Sequence, residues 1–198
     1  MPVIECDPDA AREQLRSAGV DVSDGNTDHE RWRAQYAGAT AVAYDDKVVV
    51  QGSDTARLAG LLSADGGGRV HAYFDGASRG NPGQGAVGWV LVTNDGIVAE
   101  GGQTIGRVTN NQAEYEALIA ALEAAVDYGF DQVELRGDSE LIVKQMRGEW
   151  NTNDPTLREY RVDAHELLGR VGQWSIDHVP REANERADEL ANEALDNG

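Results

Sequence analysis

Cysteine is almost absent from this sequence: Cys6 is the single thiol among 198 residues. One cysteine cannot build an internal disulfide framework, which excludes the small, disulfide-stapled secreted domains. The four histidines are scattered, at His29, His71, His165 and His178, and they lack the Cys/His spacing of a structural zinc site. No apolar run reaches the roughly 18 residues that a membrane-spanning helix needs, and no signal-like segment is present. We therefore expect a soluble, cytoplasmic protein without membrane contact.

Lysine is also scarce, since only Lys47 and Lys144 are lysines among 17 basic residues. Acidic residues number 35, so the formal net charge is −18. The excess is spread along the chain: residues 1–68 hold 12 acids and 6 bases, and residues 69–198 hold 23 and 11. This composition resembles that of halophilic archaeal proteins, which work in molar salt, where the Debye length falls to about 3 Å and surface repulsion is screened. An ordinary acidic cytosolic protein is the alternative.

The first third of the chain predicts a small α+β domain. Its predicted elements are a short strand near residues 3–4, a helix over 8–18, strands over 32–36, 39–44 and 47–51, and a helix over 54–62. Ser53 is the expected cap of that last helix, and residues 23–30 are typical of a polar loop. The glycines at 66–68 predict a flexible linker, so we expect domains at 1–65 and 69–198.

The second part of the chain is organised around residues 70–92, where two apolar, β-rich runs flank a Gly/Asn/Pro turn. The first run delivers Asp75 to the edge of that turn. A carboxylate that a strand holds at an opening suits metal ligation or acid–base chemistry, although a turn-initiating Asp is a common alternative. A third strand, over 97–105, follows a turn at 94–96 and completes an antiparallel meander.

The hydrophobic period changes to that of a helix over residues 110–128, with Glu114 in the first turns. The next strand, 132–137, ends at Asp138. Because a helix separates this strand from the first one, the connection favours a parallel crossover, which would bring Asp75 and Asp138 side by side. Taken singly, Glu114 could be only a favourable charge at a helix start, and Asp138 only an N-cap. The remaining predicted elements are helices over 139–147, 154–169 and 184–195 and a strand over 173–178.

Four segments of residues 69–198 resemble the type 1 ribonucleases H in order and spacing: DGASRGNPGQGAVGW, TNNQAEYEALIAALEAA, RGDSELIVKQMRGEW and HVPREANERADELANEA. The resemblance implies an α/β ribonuclease H-like fold, with a mixed five-stranded sheet flanked by helices. It carries the family's four acidic metal ligands onto Asp75, Glu114, Asp138 and Asp188, and its catalytic histidine onto His178. The family's substrate contacts fall on Gly76, Asn81, Thr109, Asn110 and Asn111.

The chemistry of these residues agrees with the resemblance. Four converging carboxylates form an all-oxygen site that suits two ions of Mg²⁺ or Mn²⁺, which can support phosphodiester hydrolysis. The implied function is an endonuclease that hydrolyses the RNA strand of RNA–DNA hybrids, giving 5′-phosphate and 3′-hydroxyl ends, in DNA replication and repair. His178 would move a proton near the leaving group or help product depart, and Glu114 or a nearby amide would meet the 2′-hydroxyl that distinguishes RNA.

Two alternatives stay open at this point. One is a metal nuclease of the same fold that prefers RNA–DNA junctions or double-stranded RNA. The other is a non-catalytic nucleic-acid-binding module, which the presence of all four carboxylates disfavours. We expect a monomer with no obligate protein partner.

Residues 31–54, RWRAQYAGATAVAYDDKVVVQGSD, resemble the TATA-binding-protein-like domain that precedes the catalytic domain of type 3 ribonucleases H and helps to bind substrate. On this view, the Arg31-Trp32-Arg33 run offers cationic and aromatic surface to nucleic acid. The alternative is that Trp32 fills the core of the small domain while the arginines balance local acids.

Two departures from the type 1 pattern concern substrate binding. Residues 148–155 are few and acidic where some relatives carry a handle rich in lysine and tryptophan, and Glu140 stands where some relatives carry a polar amide. The acidic surface also conflicts with the basic footprint of nucleic-acid binders. We expect metal ions, the first domain, high salt and three arginines to share the binding: Arg79, Arg107 and Arg181.

Overall fold

The computed structural model describes residues 2–62, 68–94 and 96–198, which form two compact units. The first unit comprises Met1–Gly68 together with Asp127–Asp131, and the second comprises Arg69–Val126 and Gln132–Gly198. Residues 127–131, which fall inside the second expected domain, therefore group with the first. Gly66 and Gly67 of the expected linker lie outside the described residues, as does Asp95 of the expected turn. Within the described ranges, every helix is too short or too polar to cross a membrane.

The first unit contains an antiparallel sheet of five strands in the spatial order β1-β5-β4-β3-β2. Its elements are β1 (Val3–Glu5), α1 (Pro8–Ser17), β2 (Val22–Asp24), β3 (Trp32–Tyr36), β4 (Ala39–Ala43), β5 (Lys47–Gly52) and α2 (Thr55–Leu62). Strand β2 includes residues 23 and 24 of the predicted polar loop. Its three residues are too few to show an alternating pattern, but they form a strand because they pair with the edge of β3. Helix α2 begins after Ser53, whose hydroxyl donates to the carbonyl of Gly38 at 3.3 Å.

Trp32 belongs to the core of the first unit. It is 1% exposed, and its indole Nε1 donates to the carbonyl of Pro8 at 2.7 Å. Alternation along β3 turns Trp32 and Ala34 toward the helices, and Ala43, opposite Trp32, is small enough to leave room for the indole. Arg31 pairs with Asp9 at 3.2 Å, and Arg33 pairs with Glu30 at 3.1 Å. The proposed stacking of Trp32 on nucleic acid is therefore wrong, and the alternative of a core tryptophan with acid-balancing arginines is correct.

The second unit is built on a mixed sheet of five strands in the order β10-β9-β6-β7-β8. Its strands are β6 (Arg69–Gly80), β7 (Gly83–Thr93), β8 (Gly96–Val108), β9 (Gln132–Gly137) and β10 (Gln173–His178). Its helices are α3 (Asn110–Asp127), α4 (Glu140–Met146), α5 (Pro155–Leu168) and α6 (Glu185–Asn197), with a 3-10 turn at Arg181–Ala183 before α6. The first three strands are antiparallel, and β9 runs parallel to both β6 and β10. The predicted fold class and parallel crossover are confirmed.

Strands β6 and β7 extend further than the sequence predicts. They pair as far as Gly80 opposite Gly83, so only Asn81 and Pro82 lie between them. Their glycines favour turns locally, but the cross-strand pairing overrides that preference. Asp75 therefore lies inside β6. It still faces an opening, because β9 pairs with β6 only as far as Tyr73.

Candidate active site

Gly76 allows helix α3 to lie directly against strand β6. A Cβ atom at Gly76 would fall 2.2 Å from the carbonyl carbon of Ala113 and 2.3 Å from the amide nitrogen of Glu114, so a side chain would force the two elements apart. The Gly76 amide also donates to Glu114 Oε2 at 3.3 Å. Glu114 is thereby held beside Asp75, the residue that precedes Gly76 in the strand.

Asp138 completes a group of three carboxylates. It directly follows β9, and the N-cap of α4 is Ser139, so Asp138 is not the capping residue that its position allowed. One carboxylate oxygen from each of Asp75, Glu114 and Asp138 lies within 4.8 Å of the other two. The neighbouring positions that the parallel crossover predicts for Asp75 and Asp138 are thus observed, and α3 brings Glu114 to the same point.

Asp188 approaches this cluster from the first turn of α6. The helix packs closely on β7 because Gly88 has no side chain: a Cβ atom there would fall 2.1 Å from the carbonyl oxygen of Ala187. Gly88 is the cross-strand partner of Asp75, so this packing directs the start of α6 toward the carboxylates. Asp188 is not one of the three residues within 4.8 Å, but its charge acts on Asp75.

The cluster resists full ionisation. Burial, followed by the charges of Asp138 and Asp188, raises the pKa of Asp75 to about 8, although Arg181 opposes the shift. Burial and the charges of Asp75 and Asp138 also raise the pKa of Glu114 well above its usual range, against the hydrogen bond from Gly76. Burial and mutual repulsion thus outweigh the single nearby cation, so carboxyl groups held this close retain protons near neutral pH.

These carboxylates fit a divalent metal ion. The donor set consists of carboxylate oxygens, which hard cations such as Mg²⁺, Mn²⁺ and Ca²⁺ prefer to nitrogen or sulfur ligands. A bound cation would replace the retained protons and relieve the mutual repulsion that raises the pKa of Asp75. The three elements that carry the cluster, β6, α3 and the end of β9, hold it at the opening beyond the last β6–β9 pair.

His178 lies at the same edge of the sheet. It is the last residue of β10, opposite Gly137 of β9, and its side chain is exposed. Its ring Nε2 lies 3.1 Å from the carbonyl oxygen of Asp138. An exposed imidazole beside the carboxylate cluster is placed to carry protons between the site and solvent.

The remaining sequence-predicted positions divide into two groups. Asn81 and Asn110 meet, because the Asn110 amide donates to Asn81 Oδ1 at 3.1 Å, and Asn111 is exposed next to them. Thr109 instead caps α3: the Gln112 amide donates to its hydroxyl at 3.2 Å, and its own amide donates to Gln112 Oε1 at 2.9 Å. This capping box could have been recognised from the Thr-x-x-Gln spacing. Gly76, as described above, serves close packing.

Comparisons with known proteins identify the family. The family model described as "Reverse transcriptase-like" matches residues 73–194. Ribonuclease HI of Halobacterium salinarum is 66% identical over 197 residues, which cover 99% of both chains. This chain belongs to the ribonuclease HI family. A crystal structure of RNase H1 from the same halophilic archaeon is 73% identical with a TM-score of 0.65, covering 66% of this chain and 100% of that one.

Another ribonuclease H was solved with nucleic acid. LC11-RNase H1, crystallised in complex with RNA/DNA hybrid, is 44% identical with a TM-score of 0.62, and the match covers 65% of this chain and 97% of that one. The match to the bifunctional mycobacterial relative, from Mycobacterium tuberculosis, is 44% identical and covers only 36% of that protein. The ribonuclease H resemblance in residues 69–198 is therefore confirmed at the level of family and fold.

Three arginines of this ribonuclease H have different surroundings. Arg181 lies at the site, with Nη2 3.4 Å from Asp188 Oδ1 and a side chain that is 75% exposed. Arg79 pairs with Asp196 and donates to the carbonyl of Leu195 at 3.3 Å, so it is engaged at the end of α6. Arg107 is exposed on β8. Of the three, Arg181 lies beside the carboxylates.

Asn184 is a residue of the ribonuclease H site that sequence reasoning missed. Its side chain is buried, and its Nδ2 donates to the carbonyl of Phe74, the residue before Asp75, at 2.9 Å. Asparagine is common at helix starts, so the residue type carries no signal. The one available cue is the spacing of four residues to Asp188, which places both in a single helical turn.

Proposed function

We propose that this ribonuclease H is an endonuclease that hydrolyses the RNA strand of RNA–DNA hybrids, leaving 5′-phosphate and 3′-hydroxyl ends. The observation that carries the proposal is the group formed by the buried Asp75 and the half-buried Glu114 and Asp138, with oxygens within 4.8 Å of one another, in a ribonuclease HI family chain. The complex of the 44% identical LC11-RNase H1 with RNA/DNA hybrid supports the choice of substrate.

Four carboxylates, those of Asp75, Glu114, Asp138 and Asp188, would hold two ions of Mg²⁺ or Mn²⁺. When bound, such ions polarise a phosphodiester and lower the pKa of a water molecule. The protein residues hold the ligands in place: Gly76 fixes the approach of Glu114 to Asp75, and Gly88 fixes that of α6. Ligands carried on strand and helix ends, held by such close packing, suit a preorganised site.

His178 would serve as the proton carrier of the reaction. Its ring lies beside the Asp138 carbonyl and is open to solvent, so it can receive a proton from water and release it toward the departing oxygen. Because the ring is exposed and lies outside the group of three carboxylates, its removal would leave the ligand set intact.

Recognition of RNA would rest on uncharged polar groups near Glu114. The amide of Asn110 contacts Asn81, and Asn111 is exposed beside it, so amide donors and acceptors surround the start of α3. Such groups can hydrogen-bond a 2′-hydroxyl or a phosphate oxygen without requiring a basic surface. Glu114 itself, hydrogen-bonded to Gly76, offers an acceptor for the 2′-hydroxyl.

Arg181 and the first unit would supplement this binding in an otherwise acidic chain. Within the first unit, Gln35, Thr40 and Gln51 are in cross-strand register, on the face of the sheet opposite to Trp32 and the helices. These uncharged polar side chains can bind a sugar–phosphate backbone. We further propose a monomeric, cytoplasmic enzyme that acts in DNA replication and repair. Its acidity and its match to Halobacterium ribonuclease HI support work at molar salt.

The test is a cleavage assay with matched substrates of one sequence: RNA–DNA hybrid, an RNA–DNA junction, double-stranded RNA and double-stranded DNA. Each is incubated with Mg²⁺, Mn²⁺ or EDTA at low and at molar KCl. We expect metal-dependent cutting of the hybrid RNA strand and none by the Glu114→Gln or Asp138→Asn protein. Preferred cutting of the junction or of double-stranded RNA would replace the proposed substrate, and activity in either variant would refute the ligand assignment.

A further inference from the structure

The amide side chain of Asn184 lies in the interior of the second unit at a place where its polarity is not used for capping. Among the described residues, it is one of four buried side chains that are polar or charged, with Asp75, Gln145 and Thr152. It occupies the N-cap position of α6, but it makes no side-chain cap hydrogen bond. Its Oδ1 is buried without a hydrogen-bond partner. An N-cap asparagine would ordinarily turn this oxygen toward the helix amides, so the side chain gives up a stabilising contact.

What the side chain does instead is to join two distant parts of the site. Nδ2 donates to the carbonyl of Phe74 at 2.9 Å, across 110 residues of sequence. The main-chain carbonyl of Asn184 accepts from the amide of Asp188 at 3.1 Å. One residue therefore holds the strand immediately before Asp75 and, through its own backbone, the helical turn that carries Asp188.

The surrounding packing makes this link effective. Gly88, the cross-strand partner of Asp75, lets α6 approach until its Ala187 carbonyl touches the strand. That contact sets the distance between the helix and the sheet, but it does not by itself fix the position of the helix along the strands. The Asn184–Phe74 hydrogen bond is directional, so it fixes the position of the helix along β6.

We propose that Asn184 is a positioning residue, which fixes Asp188 relative to Asp75 and thereby sets the affinity of their shared metal site. The inference rests on the proposed function, because it assumes that both carboxylates are metal ligands. Groups that orient metal ligands from behind commonly change metal affinity or activity by about 10- to 100-fold when they are removed.

The test uses the full chain with Asn184→Leu, which keeps the approximate size of the side chain and removes its donor. Mg²⁺ and Mn²⁺ binding is measured by calorimetry without nucleic acid at molar KCl, and turnover is measured as a function of metal concentration. We expect the metal dissociation constant and the half-saturating metal concentration to rise at least about tenfold. Excess metal should restore most of kcat, and KM for hybrid should remain within about twofold.

Asn197→Ala provides the matched control. Asn197 lies on the same helix and its Nδ2 also donates to a main-chain carbonyl, that of Glu193 at 2.9 Å, but the residue is exposed and the bond is local. We expect this variant to match the wild type. If Asn184→Leu does not fold, Asn184→Ala, which leaves room for a water molecule, takes its place with the same expectation.

A folded Asn184 variant with a wild-type metal dissociation constant overturns the inference, even if its melting temperature is lower, because a purely structural residue would behave in that way. The outcome is separable from failure of the proposed function. If the wild-type protein itself neither binds metal nor cleaves hybrid, the function is wrong. If it does both, only the role of Asn184 is in question.

Discussion

Asp75 couples the stability of the protein to pH. Its carboxyl group has an ordinary pKa of 3.8, and the fold raises that pKa to about 8. The folded chain therefore binds this proton more tightly than the unfolded chain does, and proton binding stabilises the fold. This stabilisation is complete below pH ~4 and is lost as the pH rises from about 4 to about 8. The residue that metal chemistry requires in ionised form therefore destabilises the metal-free protein under the conditions in which the enzyme would work.

Asp75→Asn tests this coupling, since the amide keeps the shape of the side chain and removes the charge. In EDTA and molar KCl, we expect the variant to be more stable than wild type by at least ~1 kcal/mol at pH 8–9, with the difference shrinking toward pH 5. It should have no hydrolytic activity. Chemical unfolding curves across pH provide the measurement, with Asp163→Asn, the same change at an exposed position on α5, as control. Parallel pH profiles for Asp75→Asn and wild type would contradict the prediction.

His178 should matter less than the carboxylates. Because a positioned proton carrier contributes typically 10²–10⁴-fold, His178→Ala should slow hydrolysis within that range without abolishing it. The ring is exposed, so the melting temperature should not change. His165→Ala is the matched control. His165 lies on α5, and its ring packs edge-on against Trp174, which lies near the start of β10, at the end of that strand opposite to His178. Single-turnover cleavage rates provide the measurement. An unaltered rate in His178→Ala would show that this residue has no role in catalysis.

Among the secondary-structure elements, Gly76 on β6 and Gly88 on β7 determine how closely α3 and α6 approach the sheet. Gly88→Ala places a Cβ atom 2.1 Å from the Ala187 carbonyl, so α6 must move outward. Overpacking of this kind costs about 1–3 kcal/mol, and here the displaced helix carries Asp188. We expect lower stability together with weaker metal binding, measured by unfolding curves and calorimetry.

Gly169→Ala is a suitable comparison for Gly88→Ala. Gly169 ends α5 with φ near −64°, which any residue adopts, and a Cβ atom there would lie 3.2 Å from its nearest neighbour, the Glu166 carbonyl oxygen. That change should leave metal binding unaltered. If Gly88→Ala binds metal as tightly as wild type does, then α6 does not depend on Gly88 for its position.

The elements that sequence reasoning located well are those with long periodic patterns. Helix α3 begins at the predicted residue and buries one face rich in alanine and leucine, as a 3.6-residue period requires, and strands β9 and β10 have the predicted bounds. Errors occur where pairing partners override local preference: β2 is too short to show alternation, and β6 continues as strand through residues that favour turns. The hydrogen bond of Asn184 to Phe74 could not be predicted, and the sequence left two alternatives open for Trp32, because each depends on which distant atoms the fold brings near.

The net charge of −18 on the complete chain should make folding depend on salt. In EDTA, we expect the melting temperature to rise as KCl increases from 0.01 to 1 M, because the Debye length falls from about 30 Å to about 3 Å over that range. Added Mg²⁺ should give a further rise at fixed KCl, since an ion that binds only the native site stabilises by mass action. Asp75→Asn should retain the KCl effect and lose most of the Mg²⁺ effect. A melting temperature that is independent of KCl would refute adaptation to high salt.

Removal of the first unit separates catalysis from substrate binding. The proposed ligands, Asp75, Glu114, Asp138 and Asp188, lie within residues 69–198, and the solved Halobacterium RNase H1 chain covers only 66% of this one. A chain that begins at Arg69 should therefore fold and retain kcat at saturating hybrid, while its dissociation constant for hybrid rises.

Because Trp32 is buried and Arg31 and Arg33 are paired with acids, we assign that weaker binding of hybrid to the polar row of Gln35, Thr40 and Gln51. Full-length protein with Gln35→Ala and Gln51→Ala should then show the same weakening, and Lys47→Ala, on β5 outside that row, should not. Equal dissociation constants for the full-length and shortened chains at one salt concentration would exclude a substrate-binding role for the first unit.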